Sequence, residues 1–161
     1  MTDKQRVLDR LPTASDADLK NYAINARRKL PELQWLIDAV ASEQANRGGL
    51  KNITPDAIAT VLIQRATERR TIGYAELAEE FGVKWPSPRY VMMPAVGEMA
   101  QREEDAGRPM LSVLIVQKGN GKCGKGFIDL AKTYGRNVVD AEKFERDERE
   151  RVFEYWSSRS S

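Results

Sequence analysis

The chain has 161 residues, 26 basic and 24 acidic for a formal net charge of +2, with one cysteine and no histidine. A single cysteine excludes an intrachain disulfide. The absence of histidine removes Ser-His and Cys-His nucleophile pairs, histidine acid catalysis, and every zinc site that mixes cysteine with histidine. No run approaches the ~18 apolar residues of a membrane span, and the N-terminus MTDKQRVLDRLPTASDAD lacks the apolar stretch of a secretory signal, so a cytoplasmic location is expected.

Leu11-Pro12-Thr13-Ala14-Ser15-Asp16 predicts a turn into a helix capped by Ser15, with acids in the first turn where the helix dipole favours them. Leu19, Tyr22, Ala23, Ala26 and Leu30 then recur at helical spacing. Pro31 interrupts, and a second pattern through Trp35, Leu36, Ile37 and Val40 runs to Arg47, with Gly48-Gly49 as its stop. This predicts a helical hairpin or one kinked helix over residues 1–49, which either packs on the remainder or serves to bind a partner or to form a homodimer through residues 15–47.

The remainder, residues 50–161, opens with Thr54 as N-cap and Pro55 at the first position of a helix carrying Ile58, Val61 and Leu62 on one face up to Arg70. After Thr71-Ile72-Gly73, the segment from Tyr74 to Phe81 predicts a short helix closed by Gly82. Beyond a loop through Lys84-Trp85-Pro86, Ser87-Pro88 starts a third helix that ends near Gly107, with Val91, Ala95 and Met99 inward and Pro94 either kinking it or marking its true start. The apolar, β-branched run from Leu111 to Val116 predicts a strand buried on both sides. Phe127 to Tyr134 predicts a short helix stopped by Gly135. Ala141 to Trp156 predicts a solvated helix supported by Glu142–Arg146 and Glu145–Arg149 pairs, and Ser157 to Ser161 a disordered end.

Two readings compete for the loop after Val116. Asn120-Gly121 suits the tight turn of a β-hairpin in which Lys122 to Gly126 returns antiparallel. Gly119 to Lys125 also fits the phosphate-cradling pattern G-x-x-x-x-G-K, but Gly126 stands where the magnesium-binding hydroxyl belongs. From Lys118 to Arg136 five bases (Lys118, Lys122, Lys125, Lys132, Arg136) oppose one acid, Asp129. Cys123 lies between lysines that would lower its pKa, yet it has no base or resolving cysteine and is read as a neutral loop residue.

Helix, tight turn, short helix, loop, longer helix, strand and basic hairpin is the order of a winged helix. Tyr74, Glu76, Leu77, Ala78 and Arg89 make this region similar to the DNA-binding half of the alkyltransferase-like proteins, over about 60 residues. Their P-C-H-R motif, or its cysteine-free equivalent, has no counterpart here, so alkyl transfer is not implied. Tyr74-Ala75-Glu76-Leu77-Ala78, Gly107-Arg108-Pro109-Met110-Leu111-Ser112, Gly124-Lys125-Gly126-Phe127 and Tyr155-Trp156 more closely resemble a group of small bacterial and phage proteins without assigned activity. That resemblance spans Tyr74 to Trp156, implies a shared fold, and carries over no catalytic residue.

The expected architecture is α+β and mostly helical, with a winged-helix-like centre, a two-stranded basic wing, an N-terminal helical hairpin and C-terminal helices. The expected function is non-enzymatic binding of nucleic acid, duplex DNA first, with no cofactor or metal. Lys118, Lys122 and Lys125 would grip phosphates, Arg89 and Tyr90 would face a groove, and Tyr74 and Lys84 would support them. Against this, Glu98, Glu103, Glu104 and Asp105 on the third helix would repel phosphates if they faced the duplex. A protein-interaction module of phage or mobile-element origin is the alternative, and nucleotide binding through the degenerate phosphate loop is third. Trp85, in a proline-rich loop beside Lys84, is the tryptophan singled out for stacking or recognition, with Trp35 and Trp156 read as core.

Overall fold

The computed structural model describes residues 2–28 and 32–159. The chain divides into two compact units, Met1–Lys51 and Asn52–Ser161. It is mostly helical, with a small two-stranded parallel sheet.

In the first unit, α1 (Asp3–Arg10) and a 3-10 turn (Leu11–Thr13) lead into α2 (Asp16–Arg27). Ser15 caps α2 as predicted, accepting from the Asp18 amide while the Asp18 carboxylate accepts from the Ser15 amide. Helix α3 (Gln34–Leu50) runs through Gly48 and Gly49 instead of stopping there, which moves the end of the unit to Lys51. Leu11, Leu19, Ala26, Leu36 and Val40 form the core of this unit. Arg47 holds the 3-10 turn against α3, donating to the carbonyls of Leu11 (3.2 Å) and Ala14 (2.8 Å) and to Asp16 (2.8 Å). The predicted interruption at Pro31, and Leu30 of the predicted face, lie outside the described residues.

The second unit begins with α4 (Pro55–Thr67), whose N-cap Thr54 accepts from the Ala57 amide and whose buried face is Ile58, Leu62 and Ala66. Strand β1 (Ile72–Gly73) leads directly into α5 (Tyr74–Glu80), and α6 (Arg89–Asp105) follows the loop. A second 3-10 turn (Leu111–Leu114) precedes β2 (Ile115–Val116), then α7 (Lys125–Thr133) and α8 (Ala141–Ser157). Helix α4 is the centre of the packing, touching α6, α8 and the 3-10 turn. Between α4 and β1, Arg69 takes a positive φ of 55° and is secured by Glu150 at 2.5 Å and by the Phe153 ring 5.0 Å away.

The structure corrects two sequence expectations about the wing. The run from Leu111 to Val116 is a strand only at its last two residues; the Val113 amide bonds back to the Met110 carbonyl at 3.0 Å and closes a turn. All of Met110 to Val116 is buried, and an unbroken apolar run does not by itself separate a buried strand from a buried helical turn. Strand β2 pairs in parallel with β1, Ile72 opposite Ile115 and Gly73 opposite Val116, and not with a returning hairpin strand.

A third correction concerns α8, expected to be solvated. Glu145 and Glu148 are 8% and 2% exposed. Glu148 accepts from the buried Met110 amide at 2.9 Å and from Arg151 at 2.9 Å, while both oxygens of Glu145 lie 3.2 Å from the Cys123 amide. The Cys123 amide is therefore spent on a carboxylate, which is why Lys122 to Gly126 does not return as a strand. Of the two predicted pairs on this helix, Glu145–Arg149 is present at 3.5 Å, and Glu142 pairs with Lys122 instead.

Replacing Glu148 with alanine strands the Met110 amide without an acceptor and is expected to destabilise the protein by about 2 kcal/mol, whereas Glu148→Gln, which keeps an acceptor oxygen, loses less. Urea unfolding followed by circular dichroism measures both. A Glu148→Ala protein as stable as the wild type would show that this bond does not hold the segment.

Candidate nucleic-acid interface

The loop from Gln117 to Gly124 is closed by one backbone bond, Gln117 amide to Lys122 carbonyl at 2.7 Å. Inside it the Asn120 side chain accepts from the Lys122 amide at 2.9 Å, and Gly119 and Gly121 take positive φ of 95° and 64°, a conformation open to glycine at little cost. Lys118 and Lys122 project from this loop, and Lys125 starts α7. Lys122 is bonded to Glu142 at the start of α8, and that bond raises its pKa. The lysines predicted as equivalent phosphate grips thus differ, since the charge of Lys122 is partly neutralised.

These bonds also bear on the phosphate-loop pattern. The amides of Lys122 and Cys123, which a phosphate would need, are already used, and the acceptor for Cys123 is the Glu145 carboxylate, which would repel a phosphate. The loop is ill-suited to a nucleotide.

Tyr74, the first residue of α5, stacks on Trp85 with ring centroids 5.2 Å apart and planes inclined by 21°. Burial raises the Tyr74 pKa; the neighbouring Cys123 adds to the effect and Arg89 opposes it, which places Arg89 and the loop cysteine in the same neighbourhood. An open cavity of about 630 Å³ lies beside the stack, lined by Ala75, Glu79, Val83, Lys84, Trp85 and Lys118. The fold therefore brings Lys84 and Lys118, which lie 34 positions apart, to one cavity beside the Tyr74–Trp85 stack.

Helix α6 carries two faces of different chemistry. Met92, Ala95, Val96, Met99 and Ala100 are buried, and Arg89, Tyr90, Met93, Pro94 and Gly97 are exposed, Tyr90 at 91%. Pro94 falls inside the helix, which starts at Arg89. The four acids expected to repel phosphate are all engaged. Glu98 binds Arg102 at 2.8 Å, and Glu103 is buried and held by both arms of Arg108 at 2.8 Å. Glu104 binds Arg136 at 2.8 Å, and Asp105 accepts from Gln101 at 2.8 Å. No carboxylate lies on the helix between Arg89 and Gly97.

Two parts of this site escaped the sequence reading. Gly97 sits in mid-helix where a Cβ would meet nothing within 4 Å, so packing inside the chain does not require glycine there. Its position inside a helical pattern, about 1 kcal/mol worse than alanine, was the available signal. The Glu145–Cys123 bond had none, because the partners are 22 positions apart.

Burial, then the Glu145 carboxylate, push the Cys123 thiol up from 9.0 to about 12, with Arg149 acting in the opposite sense. This reverses the lowering expected from the flanking lysines. The folded state holds the thiol neutral where the unfolded chain ionises it. The stabilisation is therefore complete below pH 9 and is lost as pH rises toward 12. Stability of the wild type is expected to decline over that window more steeply than that of Cys123→Ala, and alkylation by iodoacetamide at pH 8 to be slow until urea unfolds the protein. Urea titrations at stepped pH, with mass spectrometry for alkylation, test both; rapid labelling of the native protein would contradict the assignment.

Comparison of the chain with protein-family models, with curated proteins and with solved structures gives no match in any of the three.

Proposed function

We propose that the second unit is a non-enzymatic DNA-binding module that presents the first turns of α6 to duplex DNA, in the manner of a winged helix whose wing is the Gln117–Gly124 loop. The observation that carries this reading is the exposed face of α6 from Arg89 to Gly97, which carries no acid, while Glu98, Glu103 and Glu104 are paired with arginines and Asp105 with Gln101. Lys84 and Lys118 supply further positive charge at the cavity beside Trp85, and phosphate contacts of this kind dominate affinity. Gly97 supports the reading further, since a bare helix backbone lets a partner approach closely. In this proposal the first unit pairs two copies of the chain through residues 15–47, where Ile24 is exposed.

Tyr90, Val91 and Met93 are exposed apolar side chains, and they favour a second reading in which the same face meets a protein.

Fluorescence anisotropy with a labelled duplex over a range of salt concentrations tests the proposal. Binding should weaken with salt, and the combined variant Lys84→Gln, Arg89→Gln, Lys118→Gln should lose affinity and flatten the slope of log K against log salt by about 0.9 for each phosphate contact removed. Gly97→Gln should leave the fold as stable or slightly more so, by about 0.5 kcal/mol, while weakening binding. A wild type that binds no duplex at low salt would transfer the face to the protein-partner reading.

A further inference from the structure

The cavity beside Trp85 is built differently from a surface that only grips phosphates. Its indole is held by the Tyr74 ring at 5.2 Å, so it offers a ring already fixed in orientation, and little further ordering is needed on binding. Ala75 and Val83 give it apolar walls, and Lys84 and Lys118 bring two cations to its rim. Among the described residues the one carboxylate lining it is Glu79, and the other two acids of α5, Glu76 and Glu80, are directed to Arg65 at 3.9 and 3.3 Å. A flat ring, two cations and a single hydrogen-bond acceptor match the π-face, the phosphate and the amino edge of one nucleotide. An acidic peptide would use the lysines and leave the ring without a partner. A base paired within a duplex has its faces covered by its neighbours.

We infer that this cavity takes one unpaired nucleotide, its base stacked on Trp85 and its phosphate held by Lys84 and Lys118. The protein then prefers duplex DNA bearing a single-stranded overhang to blunt duplex. The inference rests on the DNA-binding reading of the second unit and specifies the DNA structure recognised.

The test compares the full chain on three labelled duplexes of identical sequence: blunt, with a one-nucleotide overhang, and with an abasic overhang that keeps the phosphate and lacks the base. The normal overhang should bind about ten-fold more tightly than the blunt duplex, the gain expected of one base on one aromatic ring, and the abasic overhang should lose most of that gain. Trp85→Ala should abolish the preference, bringing overhanging and blunt duplexes to equal affinity, and Trp85→Phe should retain part of it. Equal binding of blunt and overhanging duplexes by the wild type, or of normal and abasic overhangs, overturns the inference and leaves duplex binding standing. Failure to bind all three overturns both. Displacement of the overhang by an acidic peptide as effectively as by an unlabelled oligonucleotide of equal charge also overturns it and assigns the cavity to a protein partner.

Discussion

Two carboxylates one turn apart on α8 organise the second unit. Glu148 takes the Met110 amide before the 3-10 turn, and Glu145 takes the Cys123 amide after β2, so both ends of the segment from Met110 to Cys123 are tied to one helix. Buried carboxylates are costly unless they are hydrogen-bonded and neutralised, and each of these also meets an arginine of its own helix, Arg151 or Arg149. Between the two ties the chain is confined. The 3-10 turn is pressed onto α4 and α8, only two residues remain to pair with β1, and the loop carrying Lys118 is delivered to the start of α5.

The same economy of charge decides which parts of α6 are available to a partner. Counted along the sequence, the helix is acidic and looks hostile to phosphate. Distributed in space, its acids lie on or beside the packed side, or are met by Arg102, Arg108, Arg136 and Gln101, and its first turns carry only Arg89 and apolar or small residues. A net charge near zero therefore says little about a surface when ion pairs consume most of the charges on other faces.

What the sequence disclosed follows the range of the interactions. Caps and stops are local, and Ser15, Thr54 and the helices from Tyr74 and from Ala141 were legible to within a residue or two. Leu111 to Val116 is fully buried, and that erases the periodicity that separates strand from turn. Asn120-Gly121 is a genuine turn signal, but the hairpin it implies does not form because the Cys123 amide is taken by Glu145 from a distant helix. Within the candidate site, Arg89, Tyr90 and the loop lysines could be named from the chain, but the clustering of Tyr74, Lys84 and Lys118 around Trp85 depends on the β1–β2 pairing, which no local pattern encodes.

That pairing has a consequence for when the face comes into being. Parallel strands leave a sheet at the same end, so Tyr74 after β1 and Gln117 after β2 emerge side by side, although Ile72 and Ile115 are 43 positions apart. Closing so long a stretch of chain is slow compared with forming the helices inside it, and the closing segment is itself secured by α8, which follows later in the chain. During synthesis, α5 and α6 leave the ribosome well before the residues that complete their neighbourhood. A nascent chain would therefore display α6 without Lys118 or the ties to α8, and the assembled surface would exist only once the chain extends through α8.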